Sequence, residues 1–130
     1  MTAEKKFEVH VEITARLAQQ DIDDIMVSAL EGGINYWCHK ADVVGGYLGK
    51  YASEQISRGG SLKLYDGESG EKYWLDLDKF LKGFALWIKN GGDHYNAIDY
   101  SDGAVDCGEI DASCADEIIQ YALFGELVYS

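Results

Sequence analysis

Apolar and polar residues alternate at the start of the chain. Phe7, Val9, Val11 and Ile13 fall on one side, Glu8, His10, Glu12 and Thr14 on the other. A period of two with β-branched residues predicts a half-buried strand from Phe7 to Leu17, with His10 on its solvated face. The period then lengthens. Ile22, Ile25, Met26, Ala29 and Leu30 follow helical spacing and predict an amphipathic helix. Asp21 is its expected N-cap, and Asp23 and Asp24 lie where the helix dipole favours anions. Gly32-Gly33 is its expected end, one of the two taking a left-handed conformation.

Ile34 to Val44 reads as a second strand, and 51–57 as a short helix within a glycine-rich stretch. Ser61 to Tyr65 and Glu71 to Leu75 read as a hairpin closed by 66–70. In Tyr36-Trp37 and in Tyr73-Trp74, one ring of each pair should face the core. Asp76 or Asp78 caps a helix to about Asn90, with Leu77, Phe80, Leu81, Phe84 and Ile88 as its stripe and Gly91-Gly92 as its stop. Asp111 or Ser113 caps a last helix with Ala115, Ile118, Ile119, Ala122 and Leu123 inward. Gly125 breaks it, and Leu127 to Tyr129 forms a short terminal strand. Strands and helices do not alternate regularly, so the expected class is α+β. The expected architecture is a mixed or antiparallel sheet of four to five strands, with about three helices packed mainly on one face. Its 130 residues suit a single domain, 1–130.

Charge changes the picture. There are 23 acids against 11 bases, a net charge of -12. The last base is Lys89. Asn90 to Ser130 carries nine acids and no base, while residues 1–89 net only -3. A strongly acidic chain repels phosphate backbones and anionic lipid, which argues against direct nucleic-acid or membrane binding and favours a basic partner. No apolar run approaches the roughly 20 residues that span a bilayer, and Met1 to Lys6 leads into no apolar signal region.

Candidate chemistry is thin. Cys38, Cys107 and Cys114 are odd in number and lack the paired spacing of zinc sites, so free thiols are expected. Neighbours on a strand point apart, so Cys38 and His39 make no thiolate–imidazole pair. His94 could reach Cys107, although nothing in the sequence demands it. Gly49-Lys50 lacks the rest of a phosphate loop. Asp93, Asn96, Asp99 and Asp102 recur every third residue in a long loop, but no window fits an EF-hand. A weak Ca²⁺ or Mg²⁺ site in 93–111 stays open. No catalytic residue, metal ligand or cofactor is assigned.

Two stretches resemble a known group. Ala29-Leu30-Glu31-Gly32-Gly33-Ile34-Asn35-Tyr36-Trp37 resembles the "ALEGGxxYW" signature of small hypothetical proteins of bacteriophages, prophages and mobile elements. The run from Ala115 to Tyr129 is similar to their ending "ADxIxQxAxFGExVY". The resemblance implies a setting, the cytoplasm of an infected or lysogenised bacterium, and no catalytic residue. If the two helix ends lie together, they frame one surface. Its candidate binding residues are Asn35, Tyr36, Trp37, Asp116, Gln120 and Glu126, joined by Asp99, Asp102 and Asp106 of the acidic loop. The expected function is an acidic binding protein that engages a basic host protein, of the counter-defence or nucleic-acid-mimic type. The alternative is a small-molecule binder or enzyme with an aromatic pocket near Tyr36 and Trp37. Exposed Leu127 to Tyr129 also offers an edge for a homo-oligomer.

Overall fold

The computed structural model describes residues 4–93 and 97–130. Asn96 and His94, singled out above, lie outside the described residues. Three α-helices and one antiparallel sheet make an α+β fold. Helix α1 spans Gln19–Ser28, α2 Leu77–Lys89 and α3 Ala112–Phe124. Strands β1 (Cys38–Val44), β2 (Ser61–Asp66) and β3 (Lys72–Leu75) pair in the order β1-β2-β3.

Alternation works as expected in the hairpin. Leu62, Leu64 and Leu75 are buried, whereas Lys63, Tyr65 and Trp74 point to the other face. Helices α2 and α3 pack closely where Gly83 meets Ala122. Phe80, Phe84, Trp87, Ala115, Ile118 and Ile119 close the core between these helices and the sheet. Caps follow the sequence. The Asp76 carboxylate accepts the Lys79 N–H at 2.9 Å, and Asp111 accepts that of Cys114 at 2.8 Å.

Four expectations need correction. The sheet has three strands among the described residues, not four or five. Phe7 to Leu17 is not one of them: it is extended, and its sole bridge joins Arg16 to Ala104. An alternating pattern makes a strand only when a partner edge is within reach, and none of the described residues pairs with Phe7–Ile13. Ile34 to Trp37 is a turn, so β1 begins at Cys38, after the Cys38 N–H bonds Ile34 O at 2.8 Å. Leu127 to Tyr129 is a non-strand tail.

Helix ends also differ in detail. Helix α1 opens two residues before Asp21, whose carboxylate accepts the Ala18 N–H at 2.7 Å. Gly32-Gly33 does not take the left-handed conformation. The helix widens into a π-turn over Ala29–Gly33 instead. Gly33 is small because a Cβ there would lie 2.4 Å from the Ala112 carbonyl oxygen. The loop 97–111 is not structureless, since an Ile98–Val105 bridge and a 3-10 turn at Cys107–Glu109 organise it.

Candidate functional site

The two resembling stretches do meet, and they meet in the interior. The Trp37 indole N–H donates to Asp116 Oδ1 at 2.8 Å, and the Tyr36 hydroxyl donates to Oδ2 at 2.7 Å. One turn along α3, the Gln120 amide nitrogen donates to both oxygens at 3.0 and 3.1 Å. Its carbonyl oxygen accepts the N–H groups of Val128 and Tyr129 at 2.7 and 2.8 Å. Gly125 makes this possible: at φ +73° it reverses the chain, so the tail runs back to Gln120.

Tyr129 then closes the network. Its ring stacks on Trp37 at 4.7 Å with 1° between the planes. Its hydroxyl donates to Asp66, whose Oδ1 also accepts the Glu68 and Ser69 N–H groups at 2.8 Å each. The tail thus ties α3, the turn before β1 and the hairpin loop together. Partial burial, reinforced by Asp116, pushes the Tyr36 hydroxyl up to about 12. The Tyr129 hydrogen bond and the two loop N–H groups pull Asp66 down to about 2.

The Asp66 shift has a readable consequence. A carboxyl lowered in the folded state stabilises it above its ordinary pKa of about 3.9, and that gain disappears as pH falls through about 2. Thermal melts from pH 5 to pH 2 should show wild type losing its advantage over Asp66→Asn across that window. Parallel acid profiles would refute this role for Asp66.

These contacts correct part of the expected surface. Asp116 and Gln120 are 7% and 1% exposed, and Trp37 is buried as well. They bind one another and the tail. The Tyr129 ring covers Trp37, and the space beside the motif is a groove that Tyr36, Asp116, Gln120 and Tyr129 line. Asn35, Tyr36 and Glu126 are exposed, and Tyr36 borders an open groove of about 550 Å³ beside α3 and the tail.

Asp99, Asp102 and Asp106 are exposed as expected, at some remove in the loop. Each also serves its own turn, accepting the N–H of Ser101, Ala104 and Gly108 respectively. Asp93, Asp111 and Glu117 are likewise engaged, with Ala97, Cys114 and the Trp87 indole. Loop and α1 carboxylates gather at one end of the molecule. The Cys107 thiol sits 3.6 Å from Asp21 Oδ1, and the charges of Asp21, Asp24 and Asp106 add to burial in pushing it up to about 12. Asp21 and Asp102 line one shallow hollow with Arg16. Cys38, Cys107 and Cys114 are free thiols, and burial pushes each one up. Among the described residues no three His, Cys, Asp or Glu side chains converge as metal ligands. No helix there is long and apolar enough to cross a membrane.

Sequence reasoning missed the outer face of the sheet. Lys40 and Lys72 lie over the Tyr65 ring and Lys63 over Trp74, 4.5–5.8 Å from the ring centroids. The alternation of Lys63 with Leu62 and Leu64, and of Lys72 with Tyr73, carried that signal. The outer face of the sheet thus carries Lys40, Lys63 and Lys72 together with Asp42, which pairs with Lys40 at 3.5 Å. Family models, curated proteins and solved structures contain no match to this chain.

Proposed function

We propose that this chain is a phage-type binding protein that engages a basic partner through the anionic end formed by the start of α1 and loop 97–111. The observation that carries the reading is the gathering of Asp21, Asp24, Asp102 and Asp106, from segments some 80 residues apart in the chain, around Cys107 and one hollow. Their bonds to local N–H groups hold Asp21, Asp102 and Asp106 in place and leave charge facing solvent. Fixed carboxylates on a protein of net charge -12 attract cationic surfaces from a distance and accelerate encounter.

The test pairs capture with charge removal. In the triple variant Asp102→Asn, Asp106→Asn, Glu109→Gln, each Asn keeps an acceptor oxygen for its turn while the charge is lost. Wild type should bind immobilised poly-lysine and capture a basic host protein, both released by salt. The variant should lose at least about tenfold in affinity at low salt. A control of equal charge loss elsewhere, Glu68→Gln, Glu71→Gln, Glu126→Gln, should lose much less. Equal losses would mean that net charge alone binds, and the reading would fall.

A further inference from the structure

The alternating segment at the N-terminus has the pattern of a strand and no partner. Phe7, Val9 and Val11 are 80%, 82% and 76% exposed and Ile13 is half exposed, so the apolar face lies in water. Removing large aliphatic and aromatic side chains from water is favourable, so this face favours a covering surface. Its C-terminal end is already held. The Arg16 N–H donates to Gly103 O at 2.6 Å, and Val11 and Ile13 border a hollow of about 590 Å³ with Leu81, Phe84, Ala85 and Ile88 of α2. The strand is thus delivered, extended, from a fixed point beside an apolar helix surface on which Leu81 is itself exposed.

We infer that a second copy of this chain supplies the partner, the two segments pairing antiparallel about a two-fold axis through Val9. Charge complementarity favours that partner and, among the registers centred on Glu8, Val9 and His10, the one centred on Val9. Centred on Val9, the pairing sets Lys6 opposite Glu12, Glu8 opposite His10 and Phe7 opposite Val11, each twice by symmetry. Centred one residue later it sets Glu8 against Glu12, and one residue earlier Glu8 against itself. Pairings about a peptide bond oppose polar and apolar positions and are excluded by the pleat. The shared apolar face of the ribbon would then continue over the α2 surface of each copy. The inference is independent of the anionic-end reading, and salt separates the two. Two chains of net charge -12 repel, so self-association strengthens from about 10 mM to 150 mM salt, whereas binding of a basic partner weakens.

Sedimentation equilibrium of the full chain at tens of micromolar, in about 150 mM salt, should give a mass near twice 14.4 kDa. Glu12→Lys alone and Lys6→Glu alone should each weaken dimerisation roughly tenfold, since each replaces two attractive pairs with two repulsive ones. Mixing these two variants restores complementary pairs and should restore the dimer. Lys6 and Glu12 are exposed, so circular dichroism should show both variants folded. A monomeric wild type, a dimer indifferent to either reversal, or a failure of the mixed variants to recover would each overturn the inference.

Discussion

Replacing Asp116 by alanine lowers the stability of the protein by about 4 kcal/mol, the cost of breaking a buried charged hydrogen-bond centre. Three donors converge on this carboxylate: the Tyr36 hydroxyl, the Trp37 indole and the Gln120 amide. Tyr36 is exposed and finds water when the acceptor goes. The buried Trp37 indole does not, so most of the loss comes from it, whereas the Gln120 amide keeps the Tyr36 hydroxyl and Tyr129 O at 3.2 and 3.3 Å. The effect also spreads, because Gln120 holds the backbone of Val128 and Tyr129, and Tyr129 stacks on Trp37 and bonds Asp66. A domain of this size typically has about 5–15 kcal/mol in total, so a fall in melting temperature of roughly 15 °C is expected by calorimetry. The near-ultraviolet circular dichroism of the stacked Trp37 and Tyr129 rings should weaken with it. Asp116→Asn should fall between the two, because one acceptor oxygen remains. A variant within about 1 kcal/mol of wild type would show that the network does not hold the tail.

The second large effect lies at Gly83. Alanine normally stabilises a helix interior relative to glycine by about 1 kcal/mol. Here the sign should reverse. A Cβ at Gly83 would lie 2.5 Å from Ala122 N and 2.6 Å from Ala122 Cα, and backbone cannot rotate away as a side chain can. Helices α2 and α3 would have to separate by the missing distance, loosening Phe80, Phe84 and Ile118 around them. Overpacking of this kind costs about 1–3 kcal/mol beyond the propensity gain. Urea denaturation should therefore place the Gly83→Ala midpoint below wild type, with an unchanged slope. Ala85→Gly, at an exposed position of the same helix, is the reference and should lose about 1 kcal/mol through propensity alone. A stabilised Gly83→Ala would refute the close approach.

Local signals were readable where local physics decides. Phe80 and Phe84 of the α2 stripe, its Asp76 cap, the Asp111 cap of α3 and the stop at Gly125 each follow from interactions within a few residues, whereas Leu81 of that stripe is exposed and Trp87 is buried in its stead. So does the hairpin of β2 and β3, because its turn and alternation agree. The candidate site was half legible. The motif residues Tyr36, Trp37, Asp116 and Gln120 do come together. Whether they face solvent or one another depends on where the tail returns, and nothing within reach of Asp116 in sequence encodes that. The acids after Lys89 show the same limit. Their number is plain in the sequence, but their service to the N–H groups of turns is a matter of loop geometry.

By itself, the sequence determined an α+β chain, its helices, the caps of α2 and α3, the free thiols and the base-free last third. Periodicity, capping and charge are short-range properties and need no knowledge of distant neighbours. The tertiary structure decided the rest. It gave three strands among the described residues because a strand needs an edge to pair with, and Phe7–Ile13 pairs with none of those residues. It turned the motif inward because Gly125 sends Tyr129 back onto Trp37. It brought Asp21 beside Cys107, so that acids of α1 and of loop 97–111, far apart in the sequence, lie together. Each is a long-range juxtaposition, and only the folded chain fixes those.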